Sequence, residues 1–270
     1  MNQQDRNFVD SNLQNRSFQG LDLQGADFRG ADIRGCNFSY AQLQGANFLG
    51  AKIGRSPKLT IILIVVAVFV AIINFVAISQ MSFGVVEKTP EDTTWSFKIA
   101  LFVSLALAGL SSGIASFLQN SSIWQRLMKI TSGAASAALL GFYYGGSSTG
   151  NNPQLAIASA AIAAIISAVI CFVFASPSQG FYGKIMGNTL TNIAIAMAGS
   201  INNYGLAFLI SSLSAIYLSS GNLLLGIFYT ILALIMVGMS LLCFTQVIKQ
   251  INSVTITSFQ HANLLDAKFD

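Results

Sequence analysis

The chain has 270 residues, of which 53% are hydrophobic and only 9% charged, and its mean hydropathy is +0.63. A soluble domain carries roughly 25% charged residues, so an ordinary water-soluble enzyme is excluded and an integral membrane protein is expected. The formal net charge is +4, and residues 1–58 mix seven basic with five acidic groups. That balance is too mild for a nucleic-acid surface, and no nucleic-acid partner is expected.

The N-terminal region is periodic with a period of five. Phe8, Leu13, Phe18, Leu23, Phe28, Ile33, Phe38, Leu43, Phe48 and Ile53 fall on every fifth position. Two residues before them lie Ser11, Ala26, Ala31, Cys36, Ala41, Ala46 and Ala51, while Arg6, Arg16 and Leu21 break that rule. Glycines 20, 25, 30, 35, 45 and 50 recur two places after the large residue. A helix repeats near 3.6 residues and a strand near 2, so neither accounts for the pattern. A solenoid that turns a corner every five residues does, with one large and one small side chain inward and glycine at the corner.

The segments ADFRG (26–30), ADIRG (31–35), CNFSY (36–40), AQLQG (41–45) and ANFLG (46–50) resemble the pentapeptide-repeat family, whose unit reads A-(D/N)-L-x-x. The resemblance implies a four-sided β-helix with one repeat per side and four repeats per coil. Residues 1–57 are therefore expected to form about ten repeats.

Residues 58–248 read as a multi-span helical bundle. Leu59–Ile78 is uncharged and long enough to cross a bilayer core at 1.5 Å per residue. Phe97–Leu118 follows, with Lys98 expected to snorkel at its end. Ile130–Gly146 is short and rich in Ala and Gly, and Leu155–Ala175 and Leu223–Phe244 are clean spans. The stretch 185–220 is ambiguous. Two short helices broken near Asn202 and Asn203 would give seven crossings, whereas one irregular span or a re-entrant pair keeps the number even. Arg55, Lys58, Arg126, Lys129, Lys184 and Lys249 favour the cytoplasm, and Glu87, Glu91 and Asp92 suit the outside. Six crossings with both termini cytoplasmic are expected.

In residues 252–270 the period resumes at Phe259, Leu264 and Phe269. Three repeats cannot bury a core of their own. They either stack on the N-terminal coils, which requires both pieces on one side of the membrane, or begin a longer, truncated solenoid.

Few residues invite chemistry. His261 is the single histidine, and Cys36, Cys171 and Cys243 lack ligand spacing. No catalytic residue, metal site or cofactor is expected. The polar groups expected within the membrane are Asn74, Asn188, Asn192, Asn202 and Asn203. They suit helix-to-helix hydrogen bonding or, alternatively, a polar solute.

Pentapeptide repeats joined to a multi-span bundle resemble cyanobacterial membrane proteins, including those implicated in heterocyst glycolipid layer formation. That resemblance implies a thylakoid or plasma membrane and a role in organising an envelope component. The leading expectation is a non-enzymatic scaffold or assembly factor that presents a rigid cytoplasmic β-helix to a protein partner. The alternatives are a transporter or lipid-handling protein using the Gly- and Asn-rich 183–222 region, and a small auxiliary subunit of a large membrane complex. Membrane lipid is an expected partner, and a homo-oligomer is compatible with each reading.

Overall fold

The computed structural model describes residues 6–89, 91, 95–118, 122–174 and 188–269. They form two compact units, one of residues up to Val65 together with Lys249 onward, the other Val66–Ile248.

The first unit is built from one repeated turn. In each repeat the carbonyl of the large residue accepts from the N–H three places on, as in Ser11 to Phe8 and Ala31 to Phe28. The residue two after the large one has positive φ, as a type II turn requires. Glycine fills most of these corners, and Asp10, Asn15, Tyr40, His261 and Asp266 fill others at φ of 55–61°. The Asp or Asn just before the large residue braces the same turn. The side-chain oxygens of Asn7, Asn12, Asp22, Asp27, Asp32, Asn37 and Asn47 each accept from the N–H two places on. These Asx turns give the second repeat position its chemical reason.

Four such turns make one coil. Asn7 bridges to Asp27, Asn12 to Asp32, Ser17 to Asn37 and Asp22 to Gln42, all parallel and twenty residues apart. Asn37 then pairs with Ser258, Gln42 with Asn263 and Asn47 with Lys268, each 221 positions apart. The third coil thus takes two sides from residues near 47 and 52 and its next two from residues near 258 and 263. Residues 256–269 resume the stack in register, and the helices are an insertion within a single coil.

Inside, the phenylalanines form two columns. Phe8, Phe28, Phe48 and Phe269 stack at 4.8, 4.9 and 4.8 Å between ring centroids. Phe18, Phe38 and Phe259 stack at 4.9 and 5.1 Å. Rings of the two columns meet edge-on, as for Phe28 and Phe38 at 5.5 Å, so both favoured aromatic geometries are used. Leu13, Leu23, Ile33 and Leu43 complete the large layer, with Ala26, Ala31, Cys36, Ala41 and Ala46 as the small one.

The expectation of a β-helix needs correcting, because no regular strand is formed among the described residues. Each side contributes one isolated bridge, since a corner every five residues leaves no room for a ladder. Ile53 also departs from the core role expected of it. It is 45% exposed, because the returning repeats cover the layers of Phe38, Leu43 and Phe48 but not that of Ile53. Phe269 is 40% exposed on the outermost described layer while its ring lies against Phe48. Phe8, Phe259 and Leu264 are partly buried.

Six helices are described: α1 Pro57–Val86, α2 Trp95–Phe117, α3 Ser122–Ser148, α4 Pro153–Phe174, α5 Leu190–Ser219 and α6 Leu223–Thr255. All but α3 are long and apolar enough to cross a membrane, which indicates a membrane protein. The exception, α3, carries Arg126 and Lys129 in its first half and is packed closely by α2 and α4. At Gly145 a side chain would collide with Ser159 of α4, so this pair meets at backbone range.

The ambiguous stretch is one continuous helix from Leu190, running unbroken through Asn202 and Asn203; residues 185–187 lie outside the described residues. At the turn into α4, Asn152 accepts from the N–H of Gln154 and Pro153 occupies the first helical position. Lys98 does not snorkel. It is buried, and its Nζ donates to the carbonyls of Val86 and Lys88 at 3.0 Å each, closing the end of α1.

Candidate functional site

Three features of the molecule could carry function: the outer walls of the coil, the clasp where the helices leave it, and the interior of the bundle.

The walls carry paired charges. Arg29 forks onto Asp27 at 2.6 Å and Arg34 onto Asp32 at 2.6 Å, while Arg6 reaches Asp22 at 2.9 Å in the next coil side. Hydrogen bonding from Arg34 holds the Asp32 carboxyl well below the usual carboxylate range, helped by Gln14. Arg29 does the same to Asp27. The walls therefore stay zwitterionic, with no continuous face of one sign. The corner residue His261 is exposed and stacks on Tyr40 at 5.0 Å. Burial pushes the Cys36 thiol up to about 11, so Cys36 serves as a small core residue and not as a nucleophile.

The clasp is dense in hydrogen bonds. Arg55 and Ile256 form an antiparallel bridge, and the Ser56 N–H donates to the Thr255 carbonyl at 2.8 Å. The Thr257 hydroxyl lies within hydrogen-bond reach of the Ile33 carbonyl at 2.9 Å and the Gly54 carbonyl at 3.0 Å, and accepts from the Gly54 N–H at 3.1 Å. Arg55 donates to the Asn252 side chain at 2.6 Å. Gly35 packs here with φ of +73°, and a Cβ would meet the Ser56 side chain at 3.0 Å. Chain exit and return are thus fixed to each other and to the coil.

In the bundle, the five asparagines do not converge. Asn202 is fully buried and donates to Ser136 of α3 at 2.8 Å. Asn203, also fully buried, donates to the Gly109 carbonyl of α2 at 3.0 Å. Asn74 donates to Val70 in its own helix, and Asn192 donates to Asn188 one turn away. Ser132 donates to Ala108 and Ser112 to Ile195, so a polar seam ties α2, α3 and α5 together. The sequence points to the asparagines, and the Gly109-x-x-x-Gly113 spacing points to close helix approach, but the serines opposite them carry no such signal.

A cavity of about 860 Å³ lies elsewhere, among α1, α2, α3 and α4. Its walls are mostly apolar or small, including Val85, Leu101, Ala138, Leu139, Phe142 and Ala156, with Lys88, Tyr143 and Asn151 as polar lining. None of the five asparagines lines it. Among the described residues, no group of three or more His, Cys, Asp or Glu side chains comes together.

Against known families, the pentapeptide repeats match residues 11–50 in eight copies. No curated protein and no solved structure matches the chain.

Proposed function

We propose that the protein is a membrane-anchored, non-enzymatic scaffold or assembly factor whose pentapeptide coil is a docking module for a protein partner. The observation that carries this reading is the in-register return of residues 256–269, which makes one stack out of two pieces separated by the whole helical insert. The ladder of rings and the clasp hold the coil as a preformed shape, so a partner pays little ordering entropy on binding it. The zwitterionic walls suit a partner with mixed surface charge. We further infer cytoplasmic placement of both termini and a cyanobacterial-type membrane, on the strength of the loop charges and the repeat pattern.

The test is native mass spectrometry of full-length protein extracted gently from its own membranes, beside the wall variant Arg29→Glu/Arg34→Glu. A stoichiometric protein companion that is lost from the variant supports the reading. Recovery of the unaltered protein alone, or with a companion indifferent to the substitutions, overturns it.

A further inference from the structure

We propose that the cavity among α1–α4 is a binding site for one anionic membrane lipid, with an acyl chain in its interior and an acidic headgroup at Lys88. This site is separate from the coil and does not depend on the docking role.

Protein interiors are packed as densely as organic crystals, with few voids larger than a water molecule. A half-open space of about 860 Å³ among the helices is far larger than such voids, and it is the size of a ligand pocket. The space arises from small residues on four helices: Gly84 on α1, Ala100 and Ser104 on α2, Ala138 and Gly146 on α3, and Ala156 and Ala160 on α4. An apolar space of this kind does not hold water well. In a bilayer the surrounding solvent is itself made of acyl chains, so the natural occupant is one of them.

The polar lining is concentrated near the helix ends. Lys88 follows the end of α1, Ser147 lies at the end of α3, and Asn151 sits in the turn before α4. Trp95 opens α2, beside this polar end of α1, and Tyr143 falls in the last two turns of α3. Among the described residues no aspartate or glutamate lines the cavity, and Glu87 and Glu91 are exposed outside its lining. A second lysine is already committed. Lys98 closes α1 by donating to Val86 and Lys88 carbonyls, its ammonium 5.1 Å from the Trp95 ring. Lys88 is therefore left as the cation of the lining, which favours a phosphate or carboxylate headgroup over a zwitterionic one.

The experiment places full-length protein in nanodiscs of phosphatidylcholine and phosphatidylglycerol, and counts the lipids retained on release by native mass spectrometry. The unaltered protein should retain one phosphatidylglycerol with about fivefold preference over phosphatidylcholine, the factor one lysine near a headgroup supplies. Lys88→Gln should still hold a lipid but lose the preference. Ala100→Phe, at an exposed wall position that tolerates bulk, should lose the retained lipid. Phosphatidylglycerol with a diazirine on its acyl chain should label the Leu139–Tyr143 stretch. Undiminished preference in Lys88→Gln, undiminished retention in Ala100→Phe, or labelling confined to outer positions such as Ile165 and Phe172 would overturn the proposal.

Discussion

The coil and the helical bundle both bury Leu and Ile, but they leave opposite kinds of residue outside. The coil puts Phe, Leu and Ile inside and its Asp, Asn, Arg and Gln outside, as a body in water must. In the bundle, α5 is the least apolar of the five span-length helices and the most buried, with 78% of its span-length stretch inside. By contrast, α4 is strongly apolar and only 6% buried. Surrounding lipid removes the hydrophobic drive for burial, so close packing of small residues and hydrogen bonds must hold the helices together. One chain therefore follows two rules of burial.

The largest effect is expected from removing a large side chain from the coil. Phe38 is fully buried between Phe18 and Phe259, so Phe38→Ala should cost about 3–5 kcal/mol. It should also release the 256–269 segment to limited proteolysis while leaving the helices resistant. In the bundle, the equivalent disruption comes from adding bulk. At Gly109 a Cβ would crowd the Asn203 side chain, so Gly109→Leu should destabilise the α2–α5 contact by about 1–3 kcal/mol. Thermal unfolding in detergent would register it, and the coil should be unaffected.

At the clasp, Thr257→Val keeps the shape and deletes the hydroxyl that serves Ile33 and Gly54. A loss of about 1–3 kcal/mol is expected, read as faster amide exchange at Gly54. The smallest effect is electrostatic. The folded state lowers the pKa of Asp27 and Asp32, so their contribution to stability is complete above the ordinary carboxylate pKa of about 4. It is lost as pH falls further toward and through their lowered values. The coil should therefore weaken below about pH 4, and Asp32→Asn should flatten that slope.

How much of this was legible follows from how local each cause is. The five-residue period was readable because one turn sets it, through the corner φ and the Asx oxygen of the same repeat. The resumed period at Phe259, Leu264 and Phe269 was visible too, but its 221-residue register depends on where the chain returns, which no local pattern encodes. Ile53 obeys the repeat in sequence and is still exposed, because the layer that would cover it is not supplied by the returning repeats. The spacing of Gly109 and Gly113 marked the close approach at which Asn203 bonds the Gly109 carbonyl. The Ser136 partner of Asn202 was hidden because a lone serine carries no periodic signal. The cavity was hidden for the same reason: its room comes from alanines and glycines on four helices that only the folded chain brings together. The role of Lys98 was misread because snorkelling and capping a neighbouring helix ask for the same residue at the same place.

The two repeat segments form one coil interrupted by the helices. Ser39 and Ser258 bring their hydroxyl oxygens to 3.2 Å in successive layers, so cysteine sulfurs at these positions would lie side by side. The direct measurement is oxidative cross-linking of full-length Ser39→Cys/Ser258→Cys in native membranes, with Ser17→Cys/Ser258→Cys, two layers apart, as the control. Rapid, near-complete intramolecular cross-linking of the first pair and none of the control is the predicted result. Equal reactivity of the two pairs, or free thiols at both positions of the first, would contradict a single coil.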